Sequence, residues 1–408
     1  PVAQSGRCQD ILTAKSARRQ SRAKLLTEQS RVRIPPGPLF KDRKKPSHFK
    51  MLENNSVPSR MTWETILDKY TELIDREVKE HLESLKVKAA EYHPFVLKTY
   101  ENLEEYVLRR GKRLASCSTL LTYKGYTGEV DEKILNVCVG IELFRHCILL
   151  HDDLVDGDEI RRGGKSFHKL FSEGHDSKFG EGIAVFMGDA SYALSLDVIL
   201  NSGFRGEVLH RAVELLAEDY RGVNESQVID LLFEHKEPDV EEWYVMASRR
   251  AASLFRATIL MGAILAGAPV EDLQALEGAA TNIGYAFDIQ DDIIDTFATE
   301  QQYGRPPGRD IARGKKPLHL IYALRLAEPN ELRVINGIIG GGRITPNDLE
   351  TMREVIRKTG ALDAAKEESL KHAKKAKELI EQTRMGEESK EFFNSFIDYI
   401  TQSLDWYK

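Results

Sequence analysis

The 408-residue sequence has few of the features that mark several common protein classes. Its four cysteines (Cys8, Cys117, Cys138 and Cys147) include no C-x-x-C pair, which favours buried reduced thiols over disulfides or a structural zinc site. No apolar run approaches the roughly 20 residues that cross a bilayer, and no apolar core of a secretory signal is evident. We therefore expect a cytoplasmic protein without a transmembrane segment.

The charge distribution and the glycine pattern exclude further classes. The formal net charge is −6, yet residues 1–50 carry thirteen Lys or Arg against three Asp or Glu, so the remaining chain is more acidic than the total indicates. An acidic body disfavours nucleic-acid binding. The glycine-rich stretch 337–343 lacks both a preceding strand and the G-K-[ST] ending of a phosphate-binding loop, which indicates a loop between helices.

The first 50 residues differ in composition from the rest. They are rich in Arg, Lys, Ser and Gln, begin with Pro1 and contain the helix-breaking run Ile34–Pro38. Two interpretations stay open: a transit peptide, or sequence that is not native coding sequence, with Met51 or Met61 as the true start. We expect residues 1–50 to be disordered and residues 51–408 to form one folded domain.

From Thr62 onward, apolar residues recur at helical spacing and strand alternation is nearly absent, which predicts an all-α protein built as a single large antiparallel helix bundle. The predicted helices are Trp63–Lys88, a helix from Pro94, Leu114–Tyr123, a helix from about Asp131 through the first acidic motif, Gly182–Asn201, Glu207–Leu232, Val240–Gly267, Leu273–Thr299, Pro317–Leu326, Pro346–Thr359, Leu362–Gln382 and Lys390–Leu404.

Two D-D-x-x-D motifs, at 152–156 and 291–295, stand out from this pattern. On a helix, positions i and i+4 share a face, so each motif points two or three carboxylates the same way. Apolar neighbours place both turns on largely buried helices, where unpaired carboxylates are rare. A bound Mg²⁺, whose ligands are a few carboxylates together with substrate phosphates, would compensate the charge of these buried carboxylates.

A single motif of this kind is equally well explained as a solvated helix face with local ion pairs. The occurrence of two such motifs is not explained in this way, because basic residues lie at helix ends near both of them, with R-R after the first and G-K after the second. Such side chains bind phosphate oxygens. These basic residues are Lys112, Arg113, Arg161, Arg162, Arg249, Arg250, Arg305, Arg309, Arg313, Lys315 and Lys316.

As a set, the motifs resemble those of trans-type isoprenyl diphosphate synthases, the polyprenyl synthetase family, over roughly residues 60–405. The matching motifs are G-K-R at 111–113, H-D-D-x-x-D with R-R-G from 151, M-G-D at 187–189, Q-x-x-D at 227–230, F-x-x-x-D-D-x-x-D from 287, and a loop ending in G-K at 314–315. The resemblance implies the isoprenoid synthase fold, helices around a central cavity, and usually a homodimer. It also implies head-to-tail condensation of isopentenyl diphosphate with a C5–C15 allylic diphosphate, assisted by three Mg²⁺.

The resemblance also implies roles for individual residues. The two acidic motifs supply the metal site: Asp152 and Asp156 hold two Mg²⁺ with Asp153 in support, and Asp291 holds the third with Asp295. The allylic diphosphate is assigned to Arg161, Arg250, Lys315 and Arg305, and isopentenyl diphosphate to Lys112 and Arg162. Gln227 and Asp230 order metal-bound water and nearby lysines.

Several positions depart from the family pattern. Ala115 replaces the second arginine of G-K-R-x-R, and Arg113 and Arg145 are the candidates to substitute for it. Arg145 itself stands where the family has His or Gln. The remaining departures are Arg250-Ala251 for Lys-Thr, Asp288 for Gln, and Arg305 for Lys. Ala115, the departure at the expected isopentenyl diphosphate site, removes a positive charge there.

The helix leading into the first acidic motif predicts the length of the product. Cys147, five residues before Asp152, is small, whereas Phe144 is large and lies about 4.5 Å deeper at the helical rise. A growing tail would pass Cys147 and stop at Phe144, which predicts a C20–C25 product. Alternatively, Phe144 packs only within the bundle and the tail bends past it.

Two competing functions stay open. A terpene cyclase shares the helical fold but normally lacks the second D-D-x-x-D, which is intact here. A non-catalytic partner subunit that binds prenyl diphosphates usually loses one acidic motif. Both motifs are present, yet Ala115 and Asp288 leave this second alternative in place.

Overall fold

The computed structural model describes residues 63–402 except positions 110 and 304. The predicted N-terminal segment 1–50 lies outside the described residues, so the predicted division of the chain at residue 50 stays a prediction. The helices are α1 (Trp63–Ala90), α2 (Pro94–Leu108), α3 (Leu114–Thr127), α4 (Glu132–Val155), α5 (Phe167–Ser172), α6 (Ser177–Leu200), α7 (Gly206–His235), α8 (Val240–Ala247), α9 (Ala251–Leu265), α10 (Val270–Phe297), α11 (Glu300–Tyr303), α12 (Arg309–Arg313), α13 (Leu318–Leu326), α14 (Pro329–Ile338), α15 (Pro346–Lys358), α16 (Ala361–Glu381) and α17 (Glu387–Gln402).

The predicted all-α class is confirmed. In the described part of the chain, the strand content is one short antiparallel hairpin, β1 (Ile160–Arg161) and β2 (Gly164–Lys165), directly after α4. Several helices begin after a short polar side chain that accepts a hydrogen bond from a backbone N–H of the first turn. The Asp131 carboxylate accepts a hydrogen bond from the backbone N–H of Ile134 at 3.0 Å, which fixes the start of α4.

Close helix packing at the centre depends on glycine. A Cβ added to Gly262 of α9 would lie 2.2 Å from the Thr119 carbonyl oxygen of α3, and one added to Gly284 of α10 would lie 2.3 Å from Cα of Ala252. Helices that approach this closely leave no room for a side chain at the crossing. The two contacts hold α9 between α3 and α10. The contact at Gly284 precedes the second acidic motif on the same helix.

Two predicted boundaries were wrong for local reasons. The predicted helix Val240–Gly267 is two helices, broken at Ser248–Arg250, where Arg250 has φ −91° and ψ −107°. The helix predicted from Gly182 begins five residues earlier, because Asp176 caps Phe179 N–H at 2.8 Å. The short helices α5, α11, α12 and α14 were not predicted.

Two helices are long and apolar enough to cross a membrane by length and composition, Glu132–Val155 and Ser177–Leu200. The expectation that no segment reaches that length was therefore wrong. The apolar window of α4 is 78% buried within the bundle, as expected for a helix in the protein core. The apolar window of α6 is only 39% buried. The apolar surface of α6 thus requires an explanation of its own.

Candidate active site

The first acidic turn lies at the C-terminal end of α4. Gln227 on α7 donates to Asp152 Oδ1 at 3.1 Å, and Arg161 Nη2 lies 3.2 Å from Asp152 Oδ2. Burial and the neighbouring Asp156 raise the pKa of Asp152. Asp153 points inward: it is fully buried, accepts from the Tyr106 hydroxyl at 2.6 Å and is ion-paired with Arg161. Asp153 therefore orients Arg161.

A continuous series of ion pairs joins the first acidic turn to the second. Lys315 Nζ lies 3.3 Å from Asp156 Oδ1 and 3.1 Å from Asp230 Oδ2. Arg250 in turn lies 3.8 Å from Asp230 Oδ1 and 3.1 Å from Asp288 Oδ1. Two motifs 139 positions apart in the sequence thus face one shared region.

The second acidic turn, on α10, is more densely charged than its motif indicated. Asp288 and Asp292 are both buried beside Arg250, the latter at 3.6 Å. Asp295 is buried and accepts from the backbone N–H of Asp310 at 3.3 Å. Asp291 is half-buried, and its charge helps to raise the pKa of the other three carboxyls. We call both turns, with Arg161, Arg250 and Lys315, the acidic cluster.

The donor set of the acidic cluster fits a hard divalent cation. Burial, with Asp310 and Asp291 nearby, raises the pKa of Asp295 to about 8, and burial raises that of Asp288 to about 6. Asp295 Oδ1 and Asp288 Oδ2 are buried without a hydrogen-bond partner. Within residues 63–402, no three acidic, His or Cys side chains converge closely enough to hold a metal unaided. Mg²⁺ suits such a site, since it keeps water and phosphate among its ligands.

Sequence reasoning missed Asp158, three residues beyond Val155. Its buried carboxylate contacts Arg305 at 2.8 Å, Arg309 at 2.5 Å and Arg313 at 3.3 Å. This contact holds the 305–315 loop against the end of α4. Arg305, expected at the allylic diphosphate, is thus bonded to Asp158 and to the Tyr303 hydroxyl. The only sequence signal was an aspartate between the first acidic motif and the two arginines.

The hairpin after α4 separates its two arginines. Arg162 and Gly163 form the two-residue turn between β1 and β2, with φ of 51° and 77°. Arg162 Nη1 lies 3.3 Å from His146 Nε2, and His146 Nδ1 lies 2.7 Å from the Glu142 carbonyl oxygen. Because arginine only donates, His146 is the neutral tautomer with its proton on Nδ1. Burial lowers its pKa to about 3, consistent with that form.

Arg162 lies among other basic side chains, including Arg145 and Arg113. An ideal Cβ at Gly111 would lie 2.6 Å from the Arg162 guanidinium carbon, so the G-K-R loop packs directly on this arginine. Burial and the neighbouring charge of Arg145 lower the pKa of Arg162 to about 10. We call Lys112, Arg145 and Arg162 the basic cluster.

Arg113 does not belong to the basic cluster. Its guanidinium is buried and bonded to Asp75 at 2.6 Å and to Glu142 at 3.0 Å. The interpretation that Arg113 substitutes for the arginine missing at Ala115 is not supported by this position. Arg145, the other candidate, lies near enough to Arg162 for its charge to act on that guanidinium.

Phe144 lies one helical turn below Cys147 and is fully buried. Its ring centroid is 5.9 Å from that of Tyr220 and 6.5 Å from that of Tyr192, and the two tyrosines stack at 3.9 Å. Three aromatic rings from α4, α6 and α7 therefore pack together one turn from Cys147. The tyrosines were not identified from the sequence, because neither belongs to a motif.

The all-helical bundle places a carboxylate cluster suited to a divalent metal beside a cluster of cations suited to phosphate. This combination defines a prenyltransferase of the isoprenoid synthase fold. The sequence matches the polyprenyl synthetase family over residues 97–358, and the chain belongs to that family.

Similar proteins have consistent names. A geranylfarnesyl diphosphate synthase of Aeropyrum pernix is 31% identical over 300 residues, covering 72% of this chain and 91% of its own. A geranylgeranyl pyrophosphate synthetase of Pyrococcus horikoshii has a TM-score of 0.73 at 26% identity, covering 84% of this chain and 99% of its own. The fold is shared with a geranylgeranyl pyrophosphate synthase of Corynebacterium glutamicum complexed with isoprenyl diphosphate and magnesium (TM-score 0.77, 24% identity, 82% and 99% covered).

Proposed function

We propose that this prenyltransferase condenses isopentenyl diphosphate head-to-tail with a C5–C15 allylic diphosphate and releases a C20–C25 all-trans polyprenyl diphosphate. The observation that carries this proposal is the series Asp156–Lys315–Asp230–Arg250–Asp288, which brings two acidic turns to one region with cations between them. The basic cluster lies beside it, since Arg161 and Arg162 are adjacent residues that contact different groups.

The acidic cluster binds and activates the allylic substrate. Asp152, Asp156, Asp291 and Asp295 are the carboxylates that would hold three Mg²⁺. When bound, Mg²⁺ neutralises the diphosphate so that it can leave. Arg161, Arg250 and Lys315 contribute fixed positive charge to the same leaving group as the allylic C–O bond breaks. Asp153 holds Arg161, and Gln227 holds Asp152, so that neither must reorganise.

The basic cluster positions the second substrate. Arg162, Lys112 and Arg145 provide the cations for the isopentenyl diphosphate, and Arg145 takes the position of a neutral side chain in the family pattern. The isopentenyl double bond then attacks the allylic cation, and the departed diphosphate accepts the proton. The role of this chain is to exclude water and align two substrates, as expected for a site that needs no protein nucleophile.

Product length is set by the ring of Phe144, supported by Tyr192 and Tyr220. Replacing Phe144 with Ala removes the first barrier, so we expect the main product to grow by one or more isoprene units. Tyr106→Leu, which removes another buried ring near the first acidic turn, is the matched control, and it should lower the rate without lengthening the product. Product analysis by mass spectrometry gives the answer, and an unchanged length in Phe144→Ala would exclude Phe144 as the barrier.

The exposed apolar surface of α6 and α7 supports a homodimer. Phe186 on α6 is 71% exposed and Val228 on α7 is 68% exposed, with further apolar side chains on both helices. Contiguous exposed apolar surface marks interaction sites. We expect light scattering to give twice the chain mass, and Phe186→Asp to shift the protein towards monomer.

The deciding experiment is an elongation assay with purified protein, Mg²⁺, labelled isopentenyl diphosphate and C5, C10 or C15 primers. Extended product with at least one primer supports the enzyme. Absence of product with every primer, while the diphosphates still bind, would instead identify the non-catalytic partner subunit.

A further inference from the structure

Lys112 is held differently from the other motif cations. Its ammonium lies 4.9 Å from the ring centroid of Trp63 and 4.7 Å from that of Tyr399, and it donates to the Tyr399 hydroxyl at 3.2 Å. Trp63 begins α1 and Tyr399 lies near the end of α17, so the two ends of the described chain meet at this lysine. A cation over an aromatic face is attracted by the negative charge of the ring face.

The two rings form a fixed pair. Their centroids are 4.8 Å apart with 45° between the planes, and the ammonium lies about equally far from both. Trp63 is only 4% exposed and packs edge-on against Phe396 at 5.7 Å, which in turn lies 6.0 Å from Phe255 of α9. Rings anchored in this way restrict where the four-carbon lysine stem can place its charge.

Aromatic contacts hold a cation without neutralising it. Arg161, Arg250 and Lys315 each contact at least two carboxylates, whereas no ion pair found among residues 63–402 includes Lys112. Glu64 acts on Lys112 only through space. The charge of Lys112 is therefore held in place and still available to an anion, in a half-buried position where such attraction is stronger than in water.

We propose that Trp63 and Tyr399 are positioning residues that present the Lys112 ammonium to the diphosphate of the second substrate. The inference rests on the proposed function, in which Lys112 binds isopentenyl diphosphate. It makes the docking of the first and last helices a determinant of affinity for that substrate, although neither helix carries a family motif. The allylic substrate, bound at the acidic cluster, should be unaffected.

The test measures binding of isopentenyl diphosphate alone by calorimetry, together with KM for each substrate. Tyr399→Leu and Trp63→Leu each remove one cation–ring contact, and we expect each to weaken binding roughly fivefold. Tyr399→Phe keeps the ring and loses only the hydroxyl contact, so about a twofold effect is expected. The allylic KM and kcat should stay within about twofold of wild type.

A variant of the lysine itself shows whether the rings act through Lys112. Lys112→Met should weaken binding more than either ring variant, and adding Tyr399→Leu to Lys112→Met should cause no further loss. Full additivity in the double variant would overturn the positioning role, because the ring would then act independently of the lysine.

Phe393→Leu is the matched structural control, since Phe393 is a buried ring on the same helix with Phe392 as its aromatic neighbour. It should lower Tm and leave binding of isopentenyl diphosphate unchanged. If it weakens binding as much as Tyr399→Leu does, the effect belongs to helix docking in general and the proposal fails. If Lys112→Met binds normally, the assignment of Lys112 within the proposed function fails as well. If Lys112→Met weakens binding of isopentenyl diphosphate and neither ring variant does, the positioning role of Trp63 and Tyr399 is rejected and the role of Lys112 is kept.

Discussion

The cations of the acidic cluster and those of the basic cluster have opposite electrostatic surroundings. In the acidic cluster, Arg250 and Lys315 are surrounded by carboxylates, and although burial opposes their charge, those carboxylates raise the pKa of both. In the basic cluster, Arg162 contacts a neutral histidine and burial lowers its pKa to about 10. The carboxylates of the acidic cluster are the basis for proposing that it binds metal together with a diphosphate. In the basic cluster, the neighbouring charge of Arg145 acts on Arg162, which is the basis for proposing that this cluster binds the second diphosphate.

The largest expected effect comes from removing a charge in the acidic cluster. Asp152→Asn keeps the shape and a hydrogen-bond acceptor for Gln227 but loses a metal-binding oxygen, so we expect kcat to fall by roughly 10²–10³-fold. Steady-state kinetics at saturating Mg²⁺ would measure this loss. Asp197→Asn, on the exposed side of α6, should be neutral. Wild-type kcat in Asp152→Asn would show that the first turn does not bind the metal.

A smaller and differently distributed effect is expected in the basic cluster. Arg162→Gln removes a charge-assisted contact to phosphate and should raise KM for isopentenyl diphosphate by about 10–100-fold. The allylic KM should change little, because Arg162 contacts His146 rather than either acidic turn. Arg211→Gln, at an exposed position on α7, is the control. An equal rise in both KM values would remove the distinction between the clusters.

The smallest expected effect concerns stability without metal. Because the pKa of Asp295 is raised to about 8, the folded state binds more protons than the unfolded state between pH 4 and 8. This carboxyl therefore lowers stability as pH rises through that range. Asp295→Asn should stabilise the metal-free protein by about 1–3 kcal/mol at pH 8, and the gain should vanish near pH 4.

Thermal unfolding with and without Mg²⁺ measures this difference. Magnesium should raise the Tm of wild type more than that of Asp295→Asn, since the variant has lost a ligand. Asp68→Asn, on the exposed side of α1, should show neither effect. A variant less stable than wild type at pH 8 would show that Asp295 is compensated by neighbours rather than by metal.

The sequence predicted the fold class and the prenyltransferase function, and comparison with known proteins confirmed both. The reason is that D-D-x-x-D motifs and helical periodicity depend on neighbours within one or two turns. The break at Arg250 was missed because apolar spacing continues on both sides of it. Asp158 and the rings of Trp63 and Tyr399 were missed because their partners lie 49 to 287 positions away in the sequence. The individual site assignments are tested by the experiments above.

The contacts of Asp158 have a consequence for how the protein folds. The carboxylate lies directly after α4, whereas its partners Arg305 and Arg313 follow 147 and 155 residues later. Closing so long a loop costs less entropy once the helices between are in place. We expect the carboxylate-bearing helix to pack early and its basic loop to dock last, so that a nascent chain acquires catalytic competence only at the final step of folding.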